Sequence, residues 1–414
     1  MKVVCRRASE IRPSVSWLGG LLADGMFARP RASSPAADGR RVVALVCEAV
    51  LPYHHGGREL RYQELARRIA DRADVHVYTM HWWSGPRVQK DNGITFHAIS
   101  RLIPMYRKQR RSVRQALHFA LACIRLLGQD FDVLSADNIP FLQVFVLRLV
   151  TTLKRRRLVV TWHEVWGKAY WRQYLGTLGL AAWLIEIIAM RMPDHILAAS
   201  PQTADRLRQS LGQQRPISLA IHGIDLGEVS NVQPVAEPSD IAVVGRLMTH
   251  KRVDMLIEAI ALLHGEGERV TCRVIGDGPE RDSLHNKVAK LGLADSVQFY
   301  HDVSEQKDVY ALLKAAHVCV FPSAREGFGV AVVEALACGS RVITTRARDN
   351  LAQHLVARSE RGMVCEPSAS AIAEAIRAAL AEHEASTGPG VPEAWLWEYS
   401  WDAVAHNFSE ALQV

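Results

Sequence analysis

The chain has little that would mark it as secreted, zinc-bound or membrane-spanning. Its 414 residues include seven cysteines, at 5, 47, 123, 272, 319, 338 and 365, with no CxxC pair among them. No Cys/His spacing suits zinc, so neither a disulfide framework nor a structural zinc module is expected. A reducing compartment, the cytoplasm, fits this usage best. No run of eighteen uncharged apolar residues occurs, so no spanning helix is expected. GxGxxG is also missing, which weakens any reading as a dinucleotide-binding protein.

What is present is globular in character, with 49% hydrophobic and 22% charged residues, enough for sizeable cores. At roughly 150 residues per domain, the length allows two or three domains. The net charge of +7 hides an asymmetry. Residues 1–41 carry eight Lys/Arg and three Asp/Glu, residues 42–230 carry 25 and 15, and residues 231–414 carry 17 and 25. A basic first half and an acidic second half imply units with different partners.

Residues 1–40 differ from the rest. Ala, Ser, Pro and Arg dominate from Arg29 to Arg41, which predicts a disordered extension or a start placed upstream of a true one such as Met26. A signal peptide fits less well, because Asp24 and Arg29 interrupt the short apolar stretch Trp17–Leu22.

From Arg41 onward, apolar strands alternate with amphipathic helices. Strands are expected at Val42–Cys47, Val75–Met80, Val133–Leu134, Leu158–Thr161 and His195–Ala199. After Gly56-Gly57, a helix places Tyr62, Leu65, Ala66 and Ile69 on one face and charges on the other. The polar stretch 224–240, with Pro234 and Pro238, reads as a linker. Alternation then restarts with strands Ile241–Val244, Cys272–Ile275, Val297–Tyr300, Val318–Phe321 and Arg341–Thr344. Non-alternating apolar strands between helices mean parallel sheets covered on both faces. The expected architecture is α/β: two doubly wound Rossmann-like domains, 41–230 and 231–394, facing each other across a cleft. Strand carboxyl ends and helix amino ends would line that cleft.

Three loops that open helices could carry chemistry. Gly56-Gly57 lets a backbone approach a ligand, and the helix amino end behind it attracts an anion; a plain tight turn is the alternative. Arg246 in Gly245-Arg246-Leu247, with Lys251 five residues on, puts two cations at a helix mouth of an acidic half, suited to a diphosphate. Glu326 and Glu334 frame Gly327-Phe328-Gly329. Each carboxylate could accept hydroxyl hydrogen bonds from a sugar or ribose. Glu334 falls inside an apolar helix, where an unpaired carboxylate costs several kcal/mol, so something polar should meet it.

Taken together these loops resemble the glycosyltransferases of family 4, which have the GT-B fold and transfer a sugar with retention. The resemblance runs from about residue 41 to the end. It rests on Gly56-Gly57, Thr161-Trp162-His163-Glu164, Ser200-Pro201-Gln202-Thr203 and Gly223-Ile224-Asp225. It continues through Gly245-Arg246-Leu247 with Lys251, Gly276-Asp277-Gly278-Pro279, and Glu326 with Glu334 as the family's E-x7-E pair. The resemblance implies that Gly57 lies against the donor diphosphate and that Arg246 and Lys251 neutralise it as it leaves. It implies that Glu326 holds donor-sugar hydroxyls near the amides of Phe328 and Gly329, that Glu334 binds the ribose, and that His163 faces the reacting carbon or the sugar's 6-position. It further implies a nucleoside-diphosphate sugar as donor, UDP or GDP, with no cofactor and no metal. Two departures stand out: His222 where many members have Asn, which bears on the base, and His55 before Gly56, which bears on the acceptor side. The resemblance also implies that Trp395, Trp397 and Trp401, with the helix Trp401–Leu412, cross back to complete the first domain.

In this family the first domain chooses the acceptor. Here Arg101, Arg107, Lys108, Arg110, Arg111 and Arg114 run without an intervening acid, beside apolar stretches such as Ala116–Leu127 and Leu175–Met190. Two readings stay open. One is a peripheral contact with an anionic inner-membrane surface and a lipid-linked acceptor. The other is a solvated arginine face with a soluble cyclitol, sugar or natural-product acceptor, on which Trp162, Trp166, Tyr170 and Trp171 would stack or pack as core. Nucleic acid is not expected, since no reader motif accompanies the charge. Rival functions are a GT-B sugar phosphorylase, a nucleotide-sugar epimerase, or a sugar-nucleotide binder without turnover.

Overall fold

Two sheets organise the chain. The computed structural model describes residues 39–414 apart from 55, 108–109, 212–215, 304 and 386–391. The extension expected at 1–40 lies almost wholly outside the described residues, and so does His55. The first sheet contains β1 (Val42–Val46), β2 (Asp74–Met80), β3 (Val88–Asp91), β4 (Ile94–Ser100), β5 (Val133–Asp137), β6 (Arg157–Trp162), β7 (His195–Ala198) and β8 (Ile217–Leu219). Their spatial order is β8-β7-β6-β5-β1-β2-β4-β3. The second contains β9 (Ser239–Val244), β10 (Cys272–Ile275), β11 (Val297–Tyr300), β12 (Ala316–Phe321), β13 (Arg341–Thr345) and β14 (Gly362–Cys365), in the order β11-β10-β9-β12-β13-β14.

Every strand predicted from the apolar runs is present, and the sheets are parallel with one exception. The edge strand β3 is antiparallel to β4. Its sequence, Val-Gln-Lys-Asp, is largely exposed and therefore carries no apolar signal. The strands β1 and β9 are each flanked on one side by the next strand in the chain and on the other by a later one. Both are topological switch points, where the following loops diverge and leave a crevice at the strand carboxyl ends. The Gly56-Gly57 loop follows β1, and Gly245-Arg246-Leu247 follows β9.

The stretch 224–240 is more ordered than a linker. Asp225 caps a short helix, Leu226–Asn231, by accepting from the Glu228 amide, and β9 begins at Ser239. Ile224 also donates its amide to the Tyr399 carbonyl at 2.8 Å. From there the helix Trp401–Leu412 packs along the helix Gly57–Ile69. Trp401 sits against Gly223, where an added Cβ would come within 2.3 Å of the indole.

That packing overturns one expectation. Periodicity assigns the charged residues of the helix Gly57–Ile69 to its solvent face, but Arg61 is 1% exposed and Glu59 4%. The Trp401–Leu412 helix covers Arg61, which lies 5.7 Å from the Phe408 ring centroid, whereas Glu59 is buried beside His54 and Arg58. The buried guanidinium donates to the Thr161 hydroxyl (3.4 Å) and the Ala220 carbonyl (3.3 Å), while its Nε has no hydrogen-bond partner among the described residues.

Candidate functional site

The helix behind Gly56-Gly57 starts at Gly57 with no side-chain cap from Gly56, and the Glu59 carboxylate occupies its first turn, accepting from its own amide. Its surroundings are ionic. Arg58 pairs with buried Glu48 at 3.2 Å, and Arg111 also reaches Glu48. Gly57 meets the departing residue His222, whose Nε2 bonds the Gly57 carbonyl at 2.9 Å. Burial pushes the His222 imidazole down to about 4, so it stays neutral at physiological pH.

His163 follows β6. Its Nε2 bonds Asp137 Oδ1 at 2.7 Å, and Asp137 ends the neighbouring strand β5. Burial raises the Asp137 carboxyl, but His163, Arg58 and Arg61 outweigh it and hold the group below its ordinary value. An ionised carboxylate against one ring nitrogen fixes the orientation of the imidazole. The Ser200–Thr203 motif also serves this histidine. Ser200 accepts from the Thr203 amide, and Thr203 Oγ1 donates to the His163 carbonyl at 3.2 Å. Sequence reasoning misses Asp137. A carboxylate closing a fully buried strand is the local sign of it.

On the second sheet, Gly276-Asp277-Gly278 acts as the floor under Gly245-Arg246-Leu247. A Cβ on Gly276 would stand 2.1 Å from the Gly245 carbonyl oxygen, and one on Gly278 2.3 Å from that of Leu247. The Leu247 amide donates to the Asp277 carbonyl at 2.9 Å. Arg246 is exposed, while Lys251 forms a close ion pair with Glu326. Gly329 opens the helix Val330–Ala337 at φ +95°, and a Cβ there would fall 2.6 Å from that of Ala352. The Phe328 ring stacks on Tyr399, with 5.7 Å between centroids. Glu334 meets the polar partner its position requires, accepting from Gln306 Nε2 at 2.7 Å. Burial pushes its carboxyl up to about 7.

The two halves touch at this place. Glu164, beside His163, makes a two-point ion pair with Arg325, beside Glu326, at 3.2 and 2.6 Å. Arg325 also lies 4.0 Å from the Tyr170 ring centroid, and a Cβ on Gly327 would be 3.3 Å from Glu164. The structure thus sets Glu164, the neighbour of His163, against Arg325 and Gly327, and pairs Lys251 with Glu326. Arg246 is exposed, and the nearby His250 imidazole is held below its ordinary value by burial and by the charges of Lys251, Arg325 and Arg246. The four aromatics divide. Trp162 and Trp171 are core, at 0% and 7% exposure, and the half-buried Trp166 and Tyr170 face Arg325.

Two facing sheets with switch-point loops and glycine-lined helix mouths define a class, the GT-B fold. A sucrose-phosphate synthase from Thermosynechococcus elongatus matches it with a TM-score of 0.71 at 19% identity, covering 90% of this chain and 98% of that one. The crystal structure of Anabaena HepE in complex with UDP-glucose matches at 0.67, also at 19% identity, covering 90% and 100%. The family model described as Glycosyltransferase Family 4 matches residues 55–228, and that described as Glycosyl transferases group 1 matches 229–388. The chain belongs to glycosyltransferase family 4.

Its sequence relatives are partial matches. The lipopolysaccharide core biosynthesis glycosyltransferase LpsE of Rhizobium meliloti is 32% identical over 48% of this chain and 57% of its own. D-inositol 3-phosphate glycosyltransferase 2 of Catenulispora acidiphila is 34% identical over 34% of this chain and 40% of its own. The match thus spans little more than half of these curated relatives at most.

Proposed function

We propose that the protein transfers a hexosyl unit, with retention, from a nucleoside-diphosphate sugar to an acceptor hydroxyl. The observation that carries this reading is the two-point ion pair Glu164–Arg325, which ties the loop of His163 to the loop of Glu326 across the two halves. Breaking the glycosyl–phosphate bond sends its electron pair to the diphosphate and leaves positive charge on the sugar. Fixed cations at the leaving group are then the largest source of rate. Lys251 and Arg246 supply them, so no metal is needed in this reading. Glu326 exchanges its lysine for donor-sugar hydroxyls, and Glu334 exchanges Gln306 for the ribose. The acceptor oxygen attacks the anomeric carbon from the face the diphosphate leaves, and its proton passes to a departing phosphate oxygen. His163, held by Asp137, faces the sugar. No protein nucleophile is assigned.

The donor in this reading is a UDP- or GDP-sugar; solved neighbours of the same fold are described with UDP and UDP-glucose. Thermal shift with UDP, GDP, ADP and dTDP tests the nucleotide, since ligand at 100 times its dissociation constant adds about 2.7 kcal/mol. One nucleotide should stabilise, and proton NMR of the product should show the donor's anomeric configuration. Stabilisation by none of them, or an inverted product, would overturn the reading. Gly278→Ala should weaken binding of the selected nucleotide by roughly tenfold or more, because a displaced Leu247 backbone costs about 1–3 kcal/mol. Isothermal titration measures it, and unchanged affinity would remove the Gly245–Leu247 loop from the donor site.

A further inference from the structure

We infer that the helices Val113–Ala122, Phe141–Lys154 and Gly179–Ala189 form a docking face for an anionic lipid bilayer, from which the acceptor enters the cleft. The docking face stands on its own; the acceptor's route rests on the glycosyl-transfer reading above.

The helix Phe141–Lys154 lies between the other two and packs against both, and all three bury inward faces, which include Phe119, Leu147 and Ala189. Each also carries an outward apolar pair one turn apart: Leu117 and Leu121, Leu149 and Leu153, Leu184 and Ile188. All six are 46–62% exposed. Single exposed leucines are ordinary, but the same pair on three adjacent helices makes a patch that requires a partner.

Charge identifies the partner. No Asp or Glu occurs in 92–129 or in 138–163. The only acid on the three helices, Glu186, is buried and accepts from the Trp166 and Gly167 amides and the Trp171 indole. Arg148 and Arg156 pair with Asp194 and Asp132, while Arg114, Arg125, Arg155 and Arg191 are exposed around the leucines. A second copy would set this basic face against itself, whereas anionic headgroups complement it. Among the described residues no helix is long and apolar enough to cross a membrane, so the face lies on the bilayer. Glu186 ties the helix Gly179–Ala189 to the Trp166–Gly167 turn, three residues beyond His163. An amphipathic acceptor held in the bilayer can therefore present its hydroxyl near the cleft.

Flotation with phosphatidylcholine vesicles, with and without phosphatidylglycerol, tests the face. The protein should float with the anionic vesicles at low salt. Binding should fall about tenfold or more at high salt, since each basic residue contributes about fivefold and is screened. The double variant Leu149→Gln/Leu153→Gln should lose about tenfold in vesicle binding while keeping the wild-type nucleotide thermal shift. Absence of flotation at low salt, or full binding by the variant, would overturn the proposal. So would a concentration-dependent dimer in sedimentation that the same variant abolishes. Flotation by a protein that no nucleotide stabilises would leave the face intact and sink the transfer reading instead.

Discussion

Glu334→Gln is expected to make the unliganded protein more stable above pH 7 and at the same time to cripple nucleotide binding. Glu334 is raised from the ordinary carboxyl value of 4.5 to about 7 by burial. Between those values the folded protein holds a proton that the unfolded chain has lost. Stability therefore falls as pH rises through this window, by about 1–3 kcal/mol in all. A glutamine removes that penalty and can still accept from Gln306, as Glu334 does. In the proposed donor site its neutral amide would, however, give up charge-assisted bonds to two ribose hydroxyls, worth about 1.5–3 kcal/mol each, so affinity should drop at least tenfold. Wild-type affinity should climb as pH rises through about 7 and then level off, because in the proposed site ribose hydroxyls would select the carboxylate. Denaturant unfolding and nucleotide titration from pH 5 to 8 check both halves. A stabilised variant that binds nucleotide as well as wild type would make Glu334 merely a poorly solvated helix residue.

Phe408→Ala should destabilise the first sheet's unit, although Phe408 lies at the far end of the chain. Its ring is fully buried against the helix Gly57–Ile69, with Arg61 above it. Emptying such a site costs about 3–5 kcal/mol, a large share of a typical domain's 5–15 kcal/mol. Removing residues 395–414 should go further, exposing Leu65-side packing, the Ile224–Tyr399 bond and buried Arg61 together. Guanidinium unfolding of the point variant, with tryptophan fluorescence as readout, gives the magnitude. A truncated chain that is soluble, with the midpoint of the first unit unmoved, would show the helix to be an accessory.

Much of the fold is legible in the sequence because the local signal is strong. Continuous apolar runs such as Val42–Val46 and Cys272–Ile275 have few alternatives to a buried parallel strand. The edge strand Val88–Asp91 is illegible because a strand pairing on one side need not be apolar. The candidate site divides in the same way. Loops that follow strands and open helices are local features, so the chain order alone puts Gly57, Arg246 and Gly329 at helix mouths. Gly276 and Gly278 are legible as a motif but not as a cause, since the atoms they must avoid belong to Gly245 and Leu247, some thirty residues away.

The alternation of strands and helices, the loops that could meet a phosphate, and the need for a partner at Glu334 are all local properties of the chain. Periodicity and residue chemistry act within one turn or one strand, and these features require nothing longer. Which groups meet follows from the folded arrangement instead: Asp137 with His163, Gln306 with Glu334, Glu164 with Arg325, and Arg61 with Phe408. Each of these pairs joins different elements. Their distances depend on sheet order and on the returning terminal helix, which no local pattern of apolar and polar residues encodes.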